Sequence, residues 1–233
     1  MNYSSISAIF PAYNEEKNLE ELITRVDNAL KKYFKIYEII IVDDGSKDGS
    51  INILKKLQGK FSSLKIIGNK KNLGYGAALK NGLCAAQYEL IFFSDADNQF
   101  DLNEIGLLLS EIDENDAVFG FRKNREDGKY RKVNAWIWNT LNFIFYKITV
   151  KDIDCAFKIF TKKILDKINT ASLSSTSPMI NSEIIIRLKK ASAKIKQISI
   201  THFPRNKGVS KGGGRRMITN SIYDFFRLYK SLK

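Results

Sequence analysis

The chain of 233 residues carries 44% hydrophobic and 27% charged residues, so it can bury a substantial core and is neither fibrous nor of low complexity. Its net charge of +13 suits nucleic acid, anionic lipid or a polyphosphate substrate, and composition alone does not separate these partners. The sequence shows no secretory signal and no apolar segment of the ~20 residues that cross a bilayer. Its two cysteines have no partner at metal-ligand spacing, so we expect buried thiols and a cytoplasmic protein.

Strands and helices are predicted to alternate along the first half of the chain. Apolar runs predict the strands, and Leu, Ile and Val residues at helical spacing predict the helices between them. The predicted strands lie at 6–10, 37–42, 64–68 and 90–94, and the predicted helices at 19–30, 51–57 and 77–86. Regular alternation of this kind is typical of an α/β fold with a mostly parallel central sheet.

Three side chains with metal-binding oxygens follow the fourth predicted strand. Asp95, Asp97 and Gln99 come at alternate positions directly after a run that is apolar until Ser94. Residues two apart on an extended chain project to the same side, so these three side chains can converge on one oxygen-seeking cation. Mg²⁺ or Mn²⁺ held by few protein oxygens keeps coordination positions free for a substrate diphosphate. The alternative interpretation is a solvated acidic turn.

Acidic residues and glycines also follow the second predicted strand. Asp43 and Asp44 lead into a turn that contains Gly45 and Gly49. Ligands of open parallel sheets bind at the carboxyl ends of the strands, so these carboxylates are placed to accept hydrogen bonds from a base or ribose. The sequence lacks the Gly-x-Gly-x-x-Gly fingerprint and a phosphate-binding loop ending in Gly-Lys-Ser, which disfavours a nicotinamide enzyme or a nucleotide triphosphatase.

Four short motifs follow one another along the chain. They are Pro11-Ala12-Tyr13-Asn14-Glu15, Asp43-Asp44-Gly45-Ser46-Lys47-Asp48, Asn72-Leu73-Gly74-Tyr75-Gly76 and Asp95-Ala96-Asp97-Asn98-Gln99. In this order and spacing they resemble the family 2 glycosyltransferases, and more narrowly the dolichyl- and polyprenyl-phosphate mannosyl- and glucosyltransferases. The resemblance spans nearly the whole chain. It implies a nucleotide-diphospho-sugar transferase fold (GT-A, Rossmann-like), a divalent metal (Mg²⁺ or Mn²⁺) and inversion at the anomeric carbon of the sugar.

The resemblance also implies roles for individual residues. The positions that hold the nucleoside match Pro11, Tyr13, Glu15, Val42 and Asp44. The metal and diphosphate positions match Asp95, Ala96, Asp97 and Gln99. Arg122 matches a Gly-x-Arg motif, and its guanidinium fork suits a phosphate better than a lysine would. A closing motif, Arg-x-x-Gly-x-Ser-Lys, supplies two further diphosphate contacts that match Arg205 and Lys211.

The second half of the chain is predicted to bind the acceptor. Sequence patterns predict helices at 102–114 and 178–191, strands at 117–120 and 195–200, and a substrate-covering loop at 123–132. Asp154 is a candidate general base if the acceptor is an alcohol, whereas a lipid phosphate is already ionised and requires no base. Glu183 is a weaker candidate, for which we expect a surface or capping role. The single histidine, His202, is expected to be structural.

We predict a catalytic domain at 1–211 and a basic amphipathic tail at 212–233. The domain would consist of a nucleotide-binding half at 1–120 and an acceptor half at 121–211. One helical face of the tail carries its apolar side chains, which are Ile218, Ile222, Phe225, Tyr229 and Leu232. This helix either packs on the domain or lies in the plane of a membrane, and the aromatic stretch at 135–146 presents the same two alternatives.

Together the patterns and the resemblance predict an inverting, metal-dependent glycosyltransferase. It would transfer a hexose from a UDP- or GDP-linked donor to polyprenyl or dolichyl phosphate at the cytoplasmic face of a membrane. A membrane surface or an integral-membrane partner protein would bring it there. The alternative acceptor is a glycan or another soluble hydroxyl compound of cell-surface polysaccharide synthesis, and a catalytically silent sugar-nucleotide sensor is a further alternative. A nucleic-acid-binding module leaves the Asp95 motif unexplained, so no nucleic-acid partner is expected.

Overall fold

The predicted strands form one central sheet in the computed structural model, which describes residues 2–123, 129–208 and 215–232. The strands are β1 (Ser5–Ala12), β2 (Ile36–Asp43), β3 (Leu64–Gly68), β4 (Leu90–Ser94), β5 (Ala117–Arg122), β6 (Phe157–Thr161) and β7 (Ile195–Ile200). They lie in the order β3-β2-β1-β4-β6-β5-β7. β6 runs antiparallel to both of its neighbours, and the other neighbouring strands are parallel. The predicted α/β fold with a mostly parallel sheet is therefore confirmed.

Helices flank the sheet and connect its parallel strands. They are α1 (Leu19–Leu30), α2 (Ser50–Gln58), α3 (Tyr75–Ala85), α4 (Ile105–Leu109), α5 (Lys129–Tyr146), α6 (Lys162–Lys167), α7 (Ile180–Lys190) and α8 (Arg215–Leu232). The third helix packs very closely on the sheet, because a Cβ atom at Gly82 would lie 2.3 Å from Ile9 Cγ2. That close approach holds the first turn of α3 near the ends of β1 and β2.

The continuous helix predicted at 102–114 is wrong. The segment consists of the short α4 between two 3-10 turns, Leu102–Glu104 and Ile112–Glu114. The Asp101 side chain accepts a hydrogen bond from the Asn103 amide at 3.0 Å, which favours the tight first turn. At the other end the Glu111 amide bonds to the carbonyl of Leu108 at 3.2 Å, so the last turn tightens as well.

The two halves predicted on either side of residue 120 share this sheet. β5 spans that boundary, and β6 from the second half lies between β4 and β5. The last predicted strand, β7, lies at one edge of the sheet. Of the two cysteines, Cys155 is buried as expected, whereas Cys84 is exposed on α3. The spacing of apolar residues around Cys84 did not predict that its side chain lies on the solvent-exposed side of α3.

The C-terminal helix packs on the fifth helix through aromatic rings. Phe225 is buried, and its ring centroid lies 5.7 Å from that of Trp138 and 5.0 Å from that of Tyr146. The Tyr146 hydroxyl donates a hydrogen bond to the Phe225 carbonyl at 2.5 Å. One side of α8 therefore packs on the domain, while Ile218 and Ile222 of the predicted apolar face remain exposed. In the part of the chain that the structure describes, none of the helices combines the length and apolarity needed to span a membrane.

Candidate active site

The carboxyl ends of β1, β2 and β4 meet at one edge of the sheet, which we call the donor edge. Hydrogen bonds join the loops that follow the first two strands. The Asn14 amide donates to Ser46 Oγ at 2.7 Å, the Lys47 amide donates back to Asn14 Oδ1 at 2.7 Å, and the Glu15 amide donates to Ser50 Oγ at 3.0 Å. Because the strands are parallel, the first two predicted motifs lie side by side at this edge.

The two acidic residues at the end of β2 have different surroundings. Asp44 is buried, and its oxygens accept hydrogen bonds from the amides of Leu73 and Gly74 and from Asn69 Nδ2, each at 2.9 Å. It therefore anchors the loop that carries the third motif. The neighbouring Asp43 accepts from the Ser46 amide through Oδ2 at 3.3 Å, and its buried Oδ1 has no hydrogen-bond partner among the described residues. The two carboxylates thus differ, because both oxygens of Asp44 are engaged by the loop after β3, whereas one oxygen of Asp43 is not hydrogen-bonded to any described residue.

Asp95 and Asp97 form a pair of half-buried carboxyl groups after β4. Burial, and after it the negative charge of Asp97, raise the pKa of Asp95 to about 7. Burial likewise raises the pKa of Asp97, against the hydrogen bond from the Gln99 amide and the charge of Arg205. The protein's own positive charges therefore do not balance this pair. A divalent cation would supply the missing charge.

The donor set at this position fits Mg²⁺ or Mn²⁺. The described residues contain no cluster of three or more His, Cys, Asp or Glu side chains that could enclose a metal ion. Two carboxylates and one carboxamide oxygen instead leave room for substrate phosphates and water, which is the coordination that Mg²⁺ favours. The Gln99 side chain is held by a hydrogen bond from its Nε2 to the Phe203 carbonyl at 2.9 Å, and its backbone amide donates to Asp97 Oδ1 at 3.2 Å.

Arg205 connects two groups that the sequence assigned separately to the donor. Its guanidinium donates to both carboxylate oxygens of Glu15 at 2.6 Å and to Asp97 Oδ2 at 3.5 Å. The segment that carries Arg205 is held in place by the backbone of the metal motif, since the Phe203 amide donates to the Gln99 carbonyl at 2.7 Å. Glu15, Asp97 and Arg205 are thus brought together in one charged cluster at the donor edge.

Arg122 is paired with a carboxylate that sequence reasoning did not assign to it. Its Nε and Nη2 donate to the two oxygens of Asp152 at 2.7 Å and 2.8 Å, and both side chains are largely buried. The charge of Arg122 reaches Asp95, where it opposes the rise of the carboxyl pKa. The predicted base Asp154 lies in the same loop as Asp152, and its charge contributes to raising the pKa of Tyr75 after burial and the charge of Asp95.

Residues 7–169 match the family model described as glycosyl transferase family 2. A dodecaprenyl-phosphate galacturonate synthase of Rhizobium johnstonii is 32% identical over 97% of this chain and 68% of its own length. An undecaprenyl-phosphate 4-deoxy-4-formamido-L-arabinose transferase of Salmonella choleraesuis is 32% identical over 94% of this chain and 65% of its own length. The chain belongs to glycosyl transferase family 2. It spans about two thirds of the length of these curated relatives.

Solved structures of glycosyltransferases share the fold. A glucosyl-3-phosphoglycerate synthase from Mycobacterium tuberculosis, solved with Mn²⁺, UDP and glucosyl-3-phosphoglycerate, aligns with a TM-score of 0.67 at 17% identity, over 95% of this chain and 80% of that one. S. aureus TarS in complex with UDP-GlcNAc aligns with a TM-score of 0.66 at 20% identity, over 97% of this chain and 65% of that one. At these identities the likeness supports the GT-A fold of the family 2 chain and nothing finer.

The remaining predicted site residues fall at the donor edge or outside the described residues. Pro11 and Val42 are direct neighbours in the β1–β2 register, Tyr13 follows β1, and Ala96 is buried between the two carboxyl groups. Lys211 and residues 124–128 of the predicted substrate-covering loop lie outside the described residues.

Two expectations for the second half have different outcomes. The surface role expected for Glu183 is wrong, because its side chain is fully buried and accepts from the Ser174 and Ser175 amides and from Arg187. The Ser174 and Ser175 amides lie well before Glu183 in the sequence, so residue spacing alone did not suggest these hydrogen bonds. His202 packs edge-on against the ring of Phe100 at 5.0 Å, as a structural histidine would.

Sequence reasoning missed three side chains beside the metal motif. Tyr75 is half-buried at the start of α3, where burial and the charge of Asp95 raise the pKa of its hydroxyl. Lys158 is buried within β6, and its ammonium group lies 3.4 Å from Asn181 Oδ1. A lysine inside an otherwise apolar strand run was a signal available in the sequence, since lysine is seldom fully buried without partners. Nothing in the sequence singles out Asn181.

Proposed function

We propose that this family 2 chain transfers a sugar from a nucleotide-diphospho-sugar to polyprenyl phosphate, with inversion at the anomeric carbon. The observation that carries the proposal is the half-buried Asp95–Asp97 pair at the carboxyl end of β4, two neighbouring carboxyl groups of raised pKa between which and a diphosphate a cation would lie. The acceptor is inferred from the relatives, which are named for dodecaprenyl- and undecaprenyl-phosphate chemistry and align with nearly all of this chain.

We propose that Asp95, Asp97 and Gln99 hold Mg²⁺ or Mn²⁺. When bound, the ion would neutralise the charge that develops on the diphosphate as the sugar leaves. Structures of the fold contain Mn²⁺ or Mg²⁺ together with UDP, which supports this assignment. The chain's own contribution is a rigid strand end that places two carboxylates on one side of the backbone.

The donor's nucleoside would lie over the ends of β1 and β2. Asp43 Oδ1 offers a buried acceptor for a base or ribose group there, while Asp44 orders the adjoining loop. Arg205 would bind the diphosphate. Its guanidinium already bridges Glu15 and Asp97, so an arriving diphosphate would replace a carboxylate as its bidentate partner.

The acceptor phosphate would attack without a general base. A phosphate oxygen is ionised near neutral pH, so it can form the new bond to the anomeric carbon as the bond to the nucleoside diphosphate breaks. Positioning by cationic groups is then sufficient. Arg122 is fixed beside Asp95 by its two hydrogen bonds to Asp152, and we propose that it orients a phosphate from the acceptor side. Asp154 would act as a base only on a hydroxyl acceptor.

We propose that α5 and α8 bring this site to a lipid surface. Their exposed apolar side chains form what we call the aromatic face, which consists of Trp136, Ile137, Phe143, Ile144, Ile222, Tyr223 and Phe226. Trp136 is 68% and Tyr223 67% exposed, which is unusual for rings of this size. Residues 129–151 contain five Lys or Arg and no Asp or Glu, and residues 215–233 contain five Lys or Arg and only the buried Asp224. Basic charge around exposed aromatic rings favours anionic lipid.

The proposal is tested by following the sugar. The protein is incubated with Mg²⁺ or Mn²⁺, vesicles containing polyprenyl phosphate and a panel of radiolabelled UDP- and GDP-sugars, and the lipid is extracted into organic solvent. Label in the organic phase that disappears with a chelator is the expected result, and it names the donor. Nucleotide release that requires an added soluble glycan, with no label in lipid, would replace the lipid acceptor by a hydroxyl acceptor.

A further inference from the structure

Two buried carboxylates from different helices hold the loop at residues 174–177, which precedes α7. The first two amides of this loop donate to Glu183 of α7 at 3.1 Å and 2.9 Å. The last two amides donate to Asp224 of α8 at 2.9 Å and 3.0 Å, and Ser177 Oγ donates to the same carboxylate oxygen at 2.8 Å. All four amides of the 174–177 loop are therefore fixed by charged acceptors, two of them by the C-terminal helix.

The carbonyl groups of the same loop contact the third motif, at residues 72–76. The Gly76 amide donates to the Thr176 carbonyl at 2.9 Å. A Cβ atom at Gly76 would lie 2.5 Å from the Ser175 carbonyl oxygen, and one at Gly74 would overlap the Thr176 carbonyl oxygen. The loop and the third motif thus pack backbone against backbone, at a distance that only glycine permits.

The other side of the third motif contacts the donor edge. The amides of Leu73 and Gly74 donate to the two oxygens of Asp44, each at 2.9 Å. A Cβ atom at Gly45 would lie 2.8 Å from the backbone nitrogen of Asn72, so the turn after β2 packs on the same segment. Residues 72–76 therefore lie between the donor edge on one side and the 174–177 loop on the other.

Asp224 is the one acidic side chain at 215–233, and it is directed inward. It is 2% exposed, whereas Tyr223 and Phe226 beside it are exposed. Its second oxygen pairs with Arg227 at 2.8 Å. A carboxylate is costly to bury without partners, and Asp224 has them in the loop and in its own helix. The segment predicted as an appended tail thus contributes a buried charge to the packing around the third motif.

We propose that Asp224 is a positioning residue for the nucleotide-sugar donor. Through the 174–177 loop it would hold residues 72–76 against Asp44 and so fix the edge on which the nucleoside binds. This inference rests on the proposed function, which places the nucleoside over the ends of β1 and β2. It makes α8 necessary for donor binding, in addition to any contact that the exposed side of α8 makes with lipid.

The test compares two substitutions that each weaken the attachment of α8. Asp224→Asn keeps the shape of the side chain and removes the charge that accepts from the 174–177 loop. Tyr146→Phe removes a hydroxyl that donates to the Phe225 carbonyl, a hydrogen bond that holds α8 to α5 instead of to the loop. Affinity for UDP and, separately, for GDP is measured by calorimetry with saturating Mg²⁺. Hydrogen–deuterium exchange is followed at residues 72–78, and urea unfolding reports the stability of each variant.

A third variant disturbs the same contact from its opposite side. Gly76→Ala places a methyl group against the Ser175 carbonyl and should displace the 174–177 loop without altering Asp224. We expect it to weaken nucleotide binding as Asp224→Asn does. Because both changes act through one contact, their combined effect should be smaller than the product of the two separate effects.

We expect Asp224→Asn to accelerate exchange at residues 72–78 and to weaken binding of the accepted nucleotide by at least about threefold. Tyr146→Phe should leave both at wild-type values. Wild-type affinity in Asp224→Asn, or an equal loss in Tyr146→Phe, would overturn the inference and leave the proposed function intact. If Asp224→Asn does not fold, wild-type affinity in Gly76→Ala overturns it instead. If the wild-type protein binds neither nucleotide, the proposed function is rejected and the positioning role with it.

Discussion

The donor edge and the aromatic face differ in charge, in burial and in the way their side chains are held. At the donor edge, carboxylates are buried and held by neighbouring segments, since Asp44 accepts from the Leu73 and Gly74 amides and Glu15 accepts from Arg205. On the aromatic face, Trp136, Phe143 and Tyr223 are exposed, and the nearby charges are basic. One region thus presents hydrogen-bonded carboxylates, whereas the other presents exposed apolar side chains near basic residues.

Under the proposed function, the two regions would bind their partners through different physical interactions. Buried carboxylates discriminate through geometry and charge, because an unmatched charge in low dielectric is costly. Exposed rings and lysines gain from burial in lipid and from long-range attraction, neither of which demands precise geometry. Phe225 and Tyr146 hold α8 against α5, so these two helices build the aromatic face, whereas the loops after β1, β2 and β4 build the donor edge. A change in one region should therefore leave the function of the other intact.

The largest expected effect is at the donor edge. Asp97→Ala removes one of two carboxylates proposed to hold the cation, and we expect turnover to fall by at least about 10²-fold, since such charge stabilisation acts on the transition state. Association with vesicles should not change. Asp113→Ala, a change at an exposed carboxylate that accepts from the Asn2 amide, is the matched control. Full activity of Asp97→Ala at a limiting metal concentration would contradict the proposal that Asp97 holds the cation.

Substitutions on the aromatic face are expected to weaken vesicle binding and to leave donor and Mn²⁺ binding unchanged. Replacing Trp136 and Phe143 together by Glu places two charges where rings would enter the lipid, so vesicle binding in a sedimentation assay should fall by at least about tenfold. Donor and Mn²⁺ binding should stay at wild-type values, because neither residue contacts the donor edge. Unchanged sedimentation of the double variant would mean that this face does not meet the membrane.

Metal binding should depend on pH through Asp95. Its raised pKa, about 7, means that the carboxyl is protonated below that pH and must lose its proton to ligate a cation. The Mn²⁺ affinity of the donor complex should therefore rise by up to about tenfold per pH unit as the pH approaches about 7, and then level off. Calorimetric titrations across this range measure the effect. An affinity that is constant below neutrality would contradict the raised pKa.

The smallest effect is expected for a single basic residue near the aromatic face. Lys147 is exposed at the end of α5, and removing its charge should weaken binding to anionic vesicles by about 1 kcal/mol, or roughly fivefold. Raising the salt concentration should reduce the difference between Lys147→Ala and the wild type, because mobile ions screen surface charge. A similar loss with uncharged vesicles would assign the effect to the side chain's apolar stem instead.

Much of the fold and part of the site could be predicted from the sequence. An apolar run such as 90–94 predicts a strand regardless of which segments pack beside it. The Asp95 motif follows that run directly, so the sequence also predicts that Asp95 lies at the end of the strand. Ion pairs between residues far apart in the sequence could not be predicted, because spacing along the chain carries no information on which of these residues meet in the fold. Arg205 meets Glu15 across 190 residues, and Arg122 meets Asp152 across 30. The broken helix at 102–114 was missed because backbone-capping by Asp101 competes with a pattern that counts only apolar residues.

The most direct test of the account is the mass of the lipid product. After incubation with donor, Mg²⁺ or Mn²⁺ and vesicles containing polyprenyl phosphate, the organic extract is analysed by mass spectrometry. The account predicts a lipid heavier than the acceptor by one anhydro-sugar unit, with a single phosphate, and none of it from Asp97→Ala. An unchanged lipid with a glycosylated soluble compound, or a product that contains a second phosphate, would contradict it.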